Sequence, residues 1–193
     1  MTESTRDTFE RDRYAVMRAV VAEPLLGFLW RYVLERETAG TMASDPDWPG
    51  TPVAYGDVVM EHMLERLRPQ VEAASGRRLF PTYSYLRLYK HGNALTPHLD
   101  RPACEISVSL NIGQEPPIAW PLWMRGSSGP QAVALQPGDA VLYRGMELEH
   151  WREPYEGVRA AQVFLHYVDQ DGPHADEKFD KRDALGVTVR LPI

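Results

Sequence analysis

At 193 residues the chain can bury a substantial core unaided, and its single cysteine, Cys104, excludes an intramolecular disulfide framework or a cysteine-rich zinc finger. A formal charge of −6 argues against a protein that tracks a nucleic-acid backbone. No apolar run reaches the roughly 18 residues of a membrane span, and the polar start, residues 1–13, has neither a signal peptide's apolar core nor a transit peptide's basic character. No membrane contact is expected, and the cytoplasm is the expected location.

Tyr14 to Val21 is a short apolar run with β-branched residues and predicts a strand. Glu23-Pro24 then opens a helix in which Leu25, Phe28, Leu29, Tyr32 and Val33 recur at helical spacing. From Thr38 to Tyr55 the chain is rich in Gly, Pro, Asp, Ser and Thr and reads as a long loop. Asp57 can cap a second helix that runs to about Ala74, with Val59, Met60, Met63, Leu64, Leu67 and Val71 as its apolar stripe, a kink at Pro69 and a stop at Gly76.

Beyond Leu79 the pattern becomes that of strands parted by turns. Eight are expected: Thr82–Lys90, Ala94–Leu99, Glu105–Ile112, Ala119–Met124, Ala132–Leu135, Ala140–Tyr143, Glu147–Trp151 and Arg159–Val168. Turns fall at Gly113–Pro117, Gly126–Pro130 and Pro137–Asp139. Helices first and strands second imply an α+β, mainly β chain: a jelly-roll braced by N-terminal helices. The expected organisation is one domain over 1–193, with a strand and supporting helices at 14–78, a jelly-roll core at 79–168 and a charged tail at 169–193. That tail reads as solvated, with a lid or a dimer contact as the alternative.

Within the β region, His98-Leu99-Asp100 places an imidazole and a carboxylate on one face of a strand, about 7 Å apart along it. With His150 they supply two imidazoles and one carboxylate, the donor set of the facial triad that holds non-haem Fe(II) while leaving positions open. On the preceding strand Tyr83, Tyr85, Arg87 and Tyr89 alternate with Ser84, Leu86 and Leu88. If the leucines pack on the helices, the tyrosines and the arginine face the barrel interior, where they can orient a polar ligand.

The run Tyr83 to Asp100 resembles the Fe(II)/2-oxoglutarate-dependent oxygenases, most closely their prolyl-4-hydroxylase-like branch, in which a Tyr, a Gly-containing turn and a Pro lead into His-x-Asp. Pro137-Gly138-Asp139-Ala140-Val141-Leu142-Tyr143 is similar to that family's turn and strand before the distal histidine, here His150. The resemblance spans about Leu79 to Val168. It implies a double-stranded β-helix fold, with His98, Asp100 and His150 on Fe(II), and with 2-oxoglutarate and O2 as co-substrates. It also implies that Arg159 and Tyr89 hold the distal carboxylate of 2-oxoglutarate. Arg159 lies nine residues after His150, where the hydroxylases place Lys at ten, which leaves Arg152 and Arg87 as rival anchors.

The implied reaction is hydroxylation of an unactivated C–H bond of a small molecule, amino acid or peptide, with release of succinate and CO2. The retained Asp100 favours hydroxylation over halogenation, since related halogenases replace that carboxylate by a small residue. Tyr83, Tyr85, Arg87, Asn111 and Trp151 are the expected substrate-pocket residues, with Ser107 and Ser109 beside Asn111. His166 reads as a core histidine or a partner to the ligands, and Cys104 as a packed thiol. Two rival readings differ in a residue each. A nucleic-acid demethylase of the same superfamily would carry a second arginine where Leu165 stands, and a cupin-like metal-binding or sensor protein would carry a His-x-His pair that this chain lacks.

Overall fold

The computed structural model describes residues 4–126 and 129–186. Two antiparallel sheets form its centre. Eight strands match the eight expected in number and order: β4 (Leu79–Lys90), β5 (Leu95–His98), β6 (Ile106–Glu115), β7 (Leu122–Gly126), β8 (Gly129–Val133), β9 (Ala140–Tyr143), β10 (His150–Arg152) and β11 (Arg159–Asp169). Three more come from the N-terminal part: β1 (Tyr14–Met17), β2 (Ala43–Ser44) and β3 (Pro52–Tyr55). The larger sheet runs β1-β9-β6-β11-β4-β3-β2 and the smaller β5-β10-β7-β8. In this interleaving, neighbours in one sheet are joined through strands of the other, as in a double-stranded β-helix.

Three helices lie against the larger sheet. α1 (Thr5–Asp12) was not expected from the sequence. Its only buried residue is Phe9, so it has no apolar stripe to show, and it is set by the Ser4 cap that accepts from the Asp7 amide at 3.2 Å. α2 (Leu25–Thr38) and α3 (Val58–Ser75) fall where the periodicity puts them. Asp57 caps α3 by accepting from the Met60 amide at 3.0 Å, and Gly76 ends it at φ +68°, a conformation costly for any residue with a Cβ. The stripes of α2 and α3 bury Leu29, Val33, Met60, Leu64, Leu67 and Val71 against Leu86, Leu88, Val108, Leu110, Val163 and Leu165 of the sheet.

Two expectations change. The first strand stops at Met17 instead of Val21, because the chain turns through a left-handed residue, Ala19, and the Val21 amide then bonds the Gly138 carbonyl. The expected loop Thr38–Tyr55 contains β2 and β3, which extend the sheet edge beside β4. Part of the Gly126–Pro130 turn and residues 187–193 of the tail lie outside the described residues. Among the described residues no helix is long and apolar enough to cross a membrane.

Candidate functional site

Register brings the histidines together. β10 pairs antiparallel with β5 so that His150 and His98 are direct cross-strand partners, with ring centroids 4.3 Å apart. Leu99 points outward, and Asp100 follows just beyond the end of β5, its amide bonded to the Gly145 carbonyl at 2.9 Å. The Nε2 atoms of His98 and His150 lie 3.4 and 3.7 Å from Asp100 Oδ1. Donors that share one ion at about 2.1 Å stand about 3 Å apart in cis positions; both histidines are within an ångström of that spacing from Asp100, and all three donor atoms lie within 4.8 Å of one another.

Each ring is held by a backbone carbonyl. His98 Nδ1 faces the Thr96 carbonyl at 2.9 Å and His150 Nδ1 faces the Leu148 carbonyl at 2.9 Å. A carbonyl only accepts, so Nδ1 carries the proton on both rings and Nε2 is left with its lone pair toward Asp100. Asp100 Oδ2 accepts from the Ser107 hydroxyl at 3.1 Å, and that hydroxyl also lies 2.9 Å from His166 Nδ1.

The local charges are consistent with a cation at this point. The nearby Asp100 carboxylate raises His98 above the ordinary histidine value, whereas burial lowers His150. For Asp100 itself burial works against the charge, but the surrounding histidines outweigh it and hold the group below the usual carboxylate range. Burial lowers His166 to about 4, so it stays neutral. A second possible donor group, Asp100, Cys104 and His166, shares Asp100 with the first. There Cys104 Sγ faces the Tyr83 hydroxyl at 3.0 Å, and burial raises the thiol to about 12.

The three donors open onto a cavity of about 260 Å³, whose lining also includes Tyr83, Tyr85, Arg87 and Tyr89 from the inner face of β4 and Tyr143, Phe164 and His166 from facing strands. Asp45, Pro46 and Asp47 line it as well. Asp45, which sequence reasoning did not single out, is almost fully buried: it accepts from the amides of Asp47 and Trp48 at 2.9 and 3.0 Å and from the Tyr85 hydroxyl at 3.3 Å, and lies 3.4 Å from Arg87 Nε. A loop residue with no periodicity around it leaves no signal in sequence.

Three expected positions fall elsewhere. Arg159 is paired with Lys90 across the sheet, on the face opposite to Tyr89 and Arg87, and its side chain meets Glu37 at 3.3 Å and Glu115 at 3.2 Å outside the cavity. Trp151 alternates with its neighbours His150 and Arg152, so it faces out of the barrel, stacked on Trp123 at 6.0 Å and donating to Glu153 at 3.0 Å. Asn111 is buried away from the cavity and donates to the Leu135 carbonyl at 2.9 Å.

Arg152 points inward. Its guanidinium donates to the Trp120 carbonyl at 2.8 Å, lies over the Trp120 ring, and has only long contacts with Ser109 and Gln162, at 3.5 and 3.4 Å. Burial lowers it to about 10, still charged at neutral pH. Its position could have been read from spacing, since residues two apart on a strand share a face.

No family model and no curated protein sequence matches the chain. Comparison with solved structures defines the class of fold: the double-stranded β-helix found in the Fe/2-oxoglutarate-dependent oxygenases. Similar structures include a Pseudomonas putida prolyl-4-hydroxylase (TM-score 0.69, 16% identity, 86% of this chain and 97% of that one). EctD from S. alaskensis, solved with 2-oxoglutarate and 5-hydroxyectoine, aligns with TM-score 0.70 and 17% identity over 88% of this chain and 78% of that one. The non-heme alpha ketoglutarate dependent epimerase SnoN from nogalamycin biosynthesis aligns with TM-score 0.70 and 13% identity over 86% and 81%.

Proposed function

We propose that the chain is an Fe(II)- and 2-oxoglutarate-dependent oxygenase that hydroxylates an unactivated C–H bond of a small molecule, with release of succinate and CO2. One observation carries this reading: two imidazoles with their Nδ1 protons committed to backbone carbonyls converge by Nε2 on one carboxylate oxygen, at the wall of a cavity. His98, Asp100 and His150 would hold the metal on one face and leave its other positions toward the cavity. Bound there, Fe(II) together with a 2-oxo acid supplies the activation of O2 for C–H oxidation.

The chain's own residues bind and orient. Ser107, itself next to His166, fixes the rotation of the Asp100 carboxylate. Asp45 ties the 45–48 turn to Tyr85 and Arg87 at the cavity wall, which holds those two side chains in place. The cavity is at the small end for ligand sites, so a compact substrate, or the tip of an amino acid or peptide reaching in from the mouth, fits it. SnoN solved with Fe3+, alpha ketoglutarate and nogalamycin RO, and EctD solved with 5-hydroxyectoine, support a small molecule. Leu165, the position of the demethylases' second arginine in the resemblance, packs between sheet and helices, which counts against a nucleic-acid substrate. One working domain is proposed over the whole chain, in a reducing compartment such as the cytoplasm.

The test is succinate release from 2-oxoglutarate in air, in the presence of a panel of candidate small molecules. The expected result is Fe(II)-dependent, substrate-stimulated release by the wild type and background release by Asp100→Ala. Equal release from Asp100→Ala would contradict the reading.

A further inference from the structure

The oxygenase reading leaves the second carboxylate of 2-oxoglutarate without a partner, because no charged side chain of β11 faces the cavity. Arg159 lies on the other face with Glu37 and Glu115, while the inward residues at that end of the strand are Ala160 and Gln162, opposite Tyr89 and Arg87. We infer that Arg152 and Arg87, together with the Tyr89 hydroxyl, hold that carboxylate, so that the anchor comes from β10 and β4 instead of β11. The inference rests on the oxygenase reading and names the residues that would select a five-carbon 2-oxo diacid.

Three buried groups here lack the hydrogen bonds their chemistry demands. Arg152 is 2% exposed, its Nε has no partner, and among the described residues no carboxylate lies within ion-pair distance of it. Arg87 is 5% exposed and lines the cavity; its Nη2 has no partner, and its Nε has only Asp45, at 3.4 Å. The hydroxyl of Tyr89, whose ring lies 4.4 Å from the Arg87 guanidinium, is buried without a partner as well. Native proteins rarely leave such donors empty, and a buried cation without a counter-charge is costly. Two guanidiniums and one phenol set against a single carboxylate, Asp45, leave room for one more anion.

The cavity lined by His98, Asp100 and His150 is lined also by Arg87 and Tyr89, and Arg152, outside that lining, lies over the Trp120 ring that packs edge-on to Tyr89 at 4.7 Å. A dianion bound by its 2-oxo acid end at the metal donors therefore runs toward these empty donors. A guanidinium suits the far end because its planar fork can donate twice to one carboxylate. Pyruvate, which has the 2-oxo acid end and no second carboxylate, would gain nothing from the anchor.

The experiment is calorimetric titration of the full chain loaded with Mn(II), once with 2-oxoglutarate and once with pyruvate. Each charge-assisted hydrogen bond lost should weaken 2-oxoglutarate roughly tenfold to hundredfold in Arg152→Gln and in Arg87→Gln, while pyruvate binding stays within about threefold of wild type. Arg159→Gln should leave both acids within about threefold of wild type. Arg152→Lys, which keeps the charge and the aliphatic stem, covers the case in which the glutamine variant fails to fold; it too should weaken 2-oxoglutarate selectively. If the Arg152 and Arg87 variants bind 2-oxoglutarate normally, or if Arg159→Gln produces the loss, the anchor is overturned and the oxygenase reading stands. If wild type binds neither acid, both are overturned.

Discussion

A methyl group at position 145 would fall on the carboxylate of Asp100 and on the carbonyl of Cys104. Gly145 is thus required for close approach: its carbonyl takes the Asp100 amide, and its bare Cα lets the carboxylate sit toward the histidines. Gly145→Ala is expected to lower metal affinity roughly tenfold to hundredfold, as loss of support around a ligand does, which a Mn(II) titration would measure. At this scale the shared face of His98 and Asp100 was legible, since His-x-Asp alternation is a property of any strand, and the structure brings His150 beside them. The inward face of Arg152 follows from the same alternation from His150, whereas family spacing points to Arg159. Which face Arg159 takes is decided by its pairing with Lys90, and pairing is not written in local sequence.

Elements with a stripe and a cap were readable from their own residues; those without were not. α3 carried both an Asp57 start and a Gly76 stop, whereas α1 has a Ser4 cap but no stripe, with Phe9 in the core and Glu10 paired to Arg144, and β3 is held by its pairing with β4. The turn before β9 shows how such long-range contacts work. Asp139 accepts from the Ala19 amide at 2.9 Å, from Arg18 at 2.6 Å and from the Gln136 amide at 3.1 Å, so it ties the N-terminal segment to the turn. Although burial opposes the charge, these donors hold its pKa below the ordinary value. The unfolded carboxyl titrates near about 3.9, so this stabilisation is complete above that pH and fades as pH falls through the lower folded value. Asp139→Asn is expected to cost about 1–3 kcal/mol at pH 7 by urea denaturation, with the difference shrinking below about pH 4.

Across the whole molecule, the tail departs from its expected solvated state. Arg182 forms a buried pair with Glu61 of α3 at 2.5 Å and donates to the Thr82 carbonyl at 3.1 Å. Asp180 takes both Nη atoms of Arg101, at 2.7 and 2.8 Å, and bonds Tyr55. The residue next to Asp100 is therefore fastened to a segment 79 positions later in the chain. Composition marked these residues as charged, but only the folded arrangement shows that their partners are one another. The class of fold was legible from the order of helices, strands and turns, and the placing of two sheets around a donor-lined cavity followed from it. The central claim is that this cavity holds Fe(II) and a 2-oxo acid together, and its most direct test is the visible spectrum of the protein under anaerobic conditions. Fe(II) plus 2-oxoglutarate should give the wild type a charge-transfer band that His98→Ala abolishes. A wild type that binds Fe(II) but shows no band with 2-oxoglutarate, or an undiminished band in His98→Ala, would contradict the account.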